Sequence, residues 1–167
     1  MQRQATDAAD RRYLARAVGY LATSRTQEAY ALFTAGADRV ARATATGLLM
    51  DRRDTEVLAH RHILSPDPRL LLKGSNDLVA LVRSIYAAWA AERGWGRVEY
   101  AAAIHLNTGI PHVHVLVGGQ IGTEGAGRAL HLWPADYAAL KRVAGEIVGA
   151  TAASGKERRR ALRGLVT

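Results

Sequence analysis

The stretch AAAIHLNTGIPHVHVLVGG, residues 101–119, decides how the chain is read. Two apolar runs flank a polar turn. His105 closes the first run, Asn107, Thr108 and Gly109 supply turn chemistry, and Pro111 suits the position at which a strand begins. His112 and His114 open the second run. Residues two apart in a strand share a face, so His112 and His114 point one way and Val113 the other. If the runs pair as antiparallel neighbours, facing residues lie ~5 Å apart and His105 joins that face. Three imidazoles then converge on one point, a donor set that binds a divalent metal and leaves coordination positions open. An isolated strand histidine is ordinarily a half-buried polar residue. Three of the chain's six histidines within ten residues exceed even scattering, and buried unpaired imidazoles cost free energy unless something binds them.

Outward from this stretch the elements follow by periodicity. Residues 97–105 alternate as a strand that delivers His105: Val98, Tyr100, Ala102 and Ile104 take one face, Glu99, Ala101 and Ala103 the other. Before it, Ser75–Arg93 is the clearest helix, capped by Ser75 or Asn76, with Asp77 in its first turn and a buried stripe of Leu78, Leu81, Val82, Ile85 and Trp89. Val57–Ser65 reads as a strand stopped at Pro66, with His60 and His62 on one face and Arg61, Ile63 and Ser65 on the other. Asp7–Ser24 carries helix formers behind a Thr6 or Asp7 cap, with Tyr13, Leu14, Ala17, Val18 and Leu21 as its apolar stripe and Tyr20 beside it. Residues 26–54 read as mixed and mostly helical, with exposed basic candidates at Arg39, Arg42, Arg52 and Arg53. Residues 118–127 are glycine-rich without phosphate-loop spacing and read as a connection, 128–133 as a short strand containing His131, and Pro134 opens a last helix to about Ala150. This order predicts an α+β fold: a central antiparallel sheet flanked by helices, with the histidine motif on a central strand.

Composition bounds the rest. At 167 residues the chain reads as one domain, 1–167, with a basic tail from about 154 that is either a frayed end or a nucleic-acid arm. No run of 18 apolar residues exists and MQRQATDAAD lacks signal-peptide pattern, so a cytoplasmic protein without a membrane segment is expected. Cysteine is absent, which excludes disulfides and thiolate metal sites. With 23 Lys and Arg against 15 acidic residues the net charge is +8, and most of the basic groups are arginine, the better fork for phosphate. That balance fits a nucleic-acid partner.

The pattern His105-Leu-Asn107, then Pro111-His112-Val-His114-Val-Leu-Val, resembles the histidine motif of the HUH endonucleases. It is most similar to the relaxases of plasmid mobilisation and Ti-plasmid border nicking. The resemblance implies that His105, His112 and His114 hold a divalent ion, Mg²⁺ or Mn²⁺, with Zn²⁺ an ion the site would also take up in a crystal. It implies a nucleophilic tyrosine in the first helix: Tyr20-Leu-Ala-Thr matches the family's context better than Tyr13-Leu-Ala-Arg, and Tyr13 is the alternative. Ser65, at the end of a strand, matches a serine that contacts DNA near the nick. Arg61, His62, Asn107 and Thr108 are further DNA-contact candidates, and Trp89, Trp95 and Trp133 are candidate stacking platforms. Asn107 stands where the family often has Asp, and Gly118 where it often has Asn. The family's usual strand ahead of the tyrosine helix has no counterpart before Tyr13, leaving it absent, supplied by another segment, or lost by trimming of the chain.

The implied activity is site-specific nicking of single-stranded DNA at an origin of transfer through a 5′-phosphotyrosyl intermediate, with accessory relaxosome proteins as partners. The alternatives are a rolling-circle replication initiator, a relaxase-like DNA-binding protein with weakened catalysis, and a His₃ zinc hydrolase of small substrates, for which the surplus arginines have no use.

Overall fold

The structure, a computed structural model, describes residues 2–23, 30–50, 57–65, 74–106, 111–122 and 128–164. In chain order the elements are α1 (Gln2–Leu21), β1 (Leu32–Thr34), α2 (Arg42–Met50), β2 (Ala59–Leu64), α3 (Gly74–Glu92), β3 (Val98–His105), β4 (His112–Ile121), β5 (Arg128–Ala129) and α4 (Pro134–Gly164). Four strands form an antiparallel sheet in the order β1-β3-β4-β2, and the two-residue β5 adds to β4 beyond the start of β2. The α+β fold with a central antiparallel sheet is as expected, and the histidines lie on the two central strands.

Each sheet face has its own core. Val98, Tyr100, Ala102, Val113, Val115 and Val117 pack under α3 and α4 with Trp89, Tyr86 and Ile85. Ala101, Ala103 and Leu116 pack on the other face against Leu14, Val18 and Leu21 of α1 and Ala45 and Leu49 of α2. Small side chains on that second face let the helices approach closely. Gly119 is required where β4 passes the start of β2: an added Cβ would stand 1.7 Å from the carbonyl oxygen of Val57. The first turn of α4 is fixed by Pro134 and by Asp136, whose carboxylate accepts from the Trp133 amide at 2.7 Å. Arg93 pairs with the same buried carboxylate at 2.6 Å.

Several expectations change. Residues 30–50 are not mostly helical, because Leu32–Thr34 forms β1 and pairs with Ala101–Ala103. This edge strand follows α1 in the chain. Tyr13 is not on the apolar stripe of α1; it is 62% exposed, while Leu14, Val18 and Leu21 are fully buried. Gly118 and Gly119 belong to β4 rather than to a connection, the strand expected at 128–133 is two residues long, and α4 runs past Ala150 to Gly164 through the basic stretch. The expected caps Ser75 and Asn76 fall inside α3, which begins at Gly74, and their side chains, like that of Asp77, lie outside the described residues.

Candidate metal centre

The register of the central pair brings the histidines together. His105 faces His112 across β3 and β4, and His114 faces Ala103, so all three rise from the α1 face of the sheet. The ring centroids are 4.5 Å apart for His105 and His114, 5.0 Å for His112 and His114, and 5.5 Å for His105 and His112. One ring nitrogen from each lies within 4.8 Å of the other two. Nitrogens sharing one ion at ~2.1 Å stand ~3.4 Å apart, a closure of at most about 1.4 Å, within the reach of side-chain rotation.

The chemistry of the donors fits a metal. His105 and His114 are buried, and the Nδ1 of His114 has no hydrogen-bond partner among the described residues. Burial pushes the His114 imidazole down to about 4, helped by the neighbouring His105, His112 and Arg61. Burial also lowers His105, opposed by its hydrogen bond to the Leu21 carbonyl. Both rings are therefore neutral at pH 7, the form that donates a lone pair to a cation.

Two tyrosines border the centre. Tyr20, in the last turn of α1, is half exposed, and its ring centroid lies 6.0 Å from that of His114, edge to face. Arg61 of β2 carries its guanidinium 5.8 Å from the Tyr20 ring centroid. Tyr30, which the sequence did not single out, stacks on His105 at 4.2 Å with the planes inclined by 19°. Tyr13 lies seven residues before Tyr20, about 10 Å further along the helix, and makes no ring contact with the histidines.

The remaining candidates separate. Arg61 faces the centre because it pairs with Leu116, while His62 pairs with Val115 and turns to the opposite face. There His62 is buried, with its Nδ1 2.7 Å from the Tyr86 hydroxyl, and burial followed by the charge of His60 pushes it down to about 4. His62 is thus corrected from a DNA contact to a core residue under α3, and it cannot reach the triad as a further ligand. His60 is half-buried on the same side, its Nε2 3.0 Å from the Leu130 carbonyl oxygen. Ser65 is exposed at the end of β2 and lines, with Leu78, Ile85 and Val148, a largely apolar cavity of about 280 Å³. Asn107 and Thr108 lie outside the described residues, as do Arg52 and Arg53, whereas Arg39, Arg42 and His131 are exposed. Of the three tryptophans, Trp89 and Trp95 are core residues and Trp133 is 67% exposed. Among the described residues no helix is long and apolar enough to cross a membrane.

The chain matches no family model, and no curated protein and no solved structure is significantly similar to it.

Proposed function

We propose that this protein is a metal-dependent endonuclease of the relaxase type that nicks single-stranded DNA at a specific site through Tyr20, in plasmid mobilisation or conjugative transfer. The observation that carries the reading is an exposed tyrosine 6.0 Å from the nearest ring of a cluster of three histidines that could hold a metal ion. A small-substrate hydrolase using metal-bound water has no role for that tyrosine, nor for the arginine beside it.

A phosphodiester resists attack because its charged oxygens repel nucleophiles and its leaving alkoxide is poor. A divalent ion on His105, His112 and His114 supplies, when bound, positive charge that polarises the non-bridging oxygens and offsets the charge developing in the transition state. The hydroxyl of Tyr20 attacks phosphorus and gives up its proton. The bond from phosphorus to the 3′ oxygen breaks, and that oxygen keeps the electron pair and gains a proton. The products are a 5′-phosphotyrosine on Tyr20 and a free 3′-hydroxyl, and the retained ester supports later rejoining. Arg61, exposed beside Tyr20, presents a fork for a phosphate of the same strand. The strand reaches the centre unpaired, drawn by a net charge of +8. In this reading the DNA partner is an origin of transfer, and accessory relaxosome proteins assemble on it.

The test incubates purified protein and Mn²⁺ with labelled single-stranded oligonucleotides tiling the element that encodes the chain. A denaturing gel reports covalent adducts. An adduct that survives Tyr13→Phe and disappears in Tyr20→Phe and His112→Ala is expected. Cleavage without an adduct sinks the tyrosine mechanism, and binding to a verified origin without cleavage leaves a DNA-binding protein only.

A further inference from the structure

We infer that His105 takes its metal through Nδ1, because its Nε2–H is committed to the backbone carbonyl of Leu21, and that the end of the tyrosine helix is thereby part of the metal centre. The inference rests on the metal-binding reading above and specifies its atoms. The Nε2 of His105 lies 2.8 Å from the Leu21 carbonyl oxygen, within the buried interface of β3 and α1. A carbonyl only accepts, so Nε2 must carry hydrogen. A neutral imidazole has a single N–H, which leaves the lone pair on Nδ1.

The ring is held from a second side. Tyr30 stacks on it at 4.2 Å, and the Tyr30 amide donates to the Ala22 carbonyl at 3.0 Å. Both holders of His105 are therefore anchored at consecutive residues at the end of α1, immediately after Tyr20. Ligation through Nε2 would instead break the Leu21 hydrogen bond and strand a carbonyl on a residue with no solvent exposure. With Nδ1 as the ligand atom, metal binding and the placement of the nucleophile's helix are linked, each favouring the other. Tyr30 acts as a positioning residue through its ring. Its hydroxyl is buried with no hydrogen-bond partner among the described residues and adds nothing to that role.

The experiment uses the full chain labelled with ¹⁵N-histidine, with ¹¹³Cd²⁺ as the probe ion. Long-range proton–nitrogen spectra of the metal-free protein should show His105 as the Nε2–H tautomer, assigned by its loss in His105→Asn. On adding ¹¹³Cd²⁺, direct cadmium–nitrogen coupling should appear at Nδ1 of His105. Coupling at Nε2 of His105, with His112 and His114 also coupled, leaves the metal centre standing and overturns this inference alone. Absence of coupling at all three histidines sinks the metal reading and this inference with it. Among variants, Tyr30→Leu should weaken Cd²⁺ binding roughly tenfold to a hundredfold, while Tyr30→Phe, which keeps the ring, should stay close to the parent. Equal losses in the two variants would overturn the positioning role of the ring.

Discussion

Two of the three histidines should respond in opposite directions when replaced by leucine in the metal-free protein. His114 buries an Nδ1 that has no partner among the described residues. An unsatisfied buried group of this kind costs about 1–3 kcal/mol, and a misfit of leucine in the same space costs at most about 1.5 kcal/mol. His114→Leu should therefore lie between unchanged and about 2 kcal/mol more stable in EDTA. His105→Leu removes the hydrogen bond to the Leu21 carbonyl and the stack on Tyr30. An unpaired carbonyl at about 1–3 kcal/mol and a lost ring pair at about 0.5–1.5 kcal/mol predict a loss of about 2–4 kcal/mol. For a chain of this size the two variants should melt roughly 4–24 °C apart. Both should lose the stabilisation of about 2.7 kcal/mol that a hundredfold excess of Mn²⁺ over its Kd gives the parent. Urea unfolding with and without Mn²⁺ measures each term. Equal destabilisation of the two variants in EDTA would refute the argument, because it would mean that His114 is satisfied in the folded protein.

Three further outcomes rest on single contacts. Gly119→Ala places a Cβ 1.7 Å from the Val57 carbonyl oxygen and should cost about 3 kcal/mol or more in urea unfolding, whereas Gly118→Ala, whose nearest neighbours would be 3.5 and 3.6 Å away, should be nearly neutral. His62 is held at about 4 against an ordinary 6.5, so between those values the unfolded chain binds a proton that the folded chain does not. Its contribution to stability is whole above pH 6.5, falls as pH drops towards 4, and levels off below; a His62→Gln variant with an equally steep fall would show that the slope arises elsewhere. Arg61→Gln, exposed on β2, should leave the fold within about 0.5 kcal/mol and lower the dependence of single-stranded DNA binding on salt by about one ion, so an unchanged slope in a filter-binding titration would remove Arg61 from the interface.

The histidine cluster was legible in the sequence because alternation puts His112 and His114 on one face, and the turn-forming residues between the two apolar runs imply the antiparallel pairing that brings His105 to the same face. Parity could not say which face His62 shares with them. That depends on the register of β2 against β4, where His62 meets Val115 and Ile63 meets His114. A slip of one residue would have exchanged Arg61 and His62 at the centre. The strand β1 escaped notice because Leu32, Phe33 and Thr34 are all buried, leaving three residues with no alternation to detect. Tyr13 was misplaced because it adjoins the buried Leu14, yet a single residue turns a helix by about 100°. The stack of Tyr30 on His105 joins residues from segments far apart in the chain, and no local pattern announces it.

The structure gives a physical reason to prefer Tyr20 over Tyr13 without appeal to its sequence context. Seven residues bring both tyrosines to one side of α1, so helical periodicity alone treats them alike. The two differ in how their backbone is anchored. Tyr20 is joined directly to Leu21, whose carbonyl receives His105 and whose side chain is fully buried against the sheet. The backbone at Tyr20 is thus fixed relative to the three imidazoles, while its own ring remains 52% exposed to an incoming strand. Tyr13 is as exposed but lies about two turns away, roughly 10 Å along the axis. A group that must meet a phosphate at bonding distance gains most from that rigid placement, because misplacement by even about 1 Å can cost a hundredfold in rate. Loosening the contact between Leu21 and His105 should therefore slow adduct formation even in a variant that still binds metal.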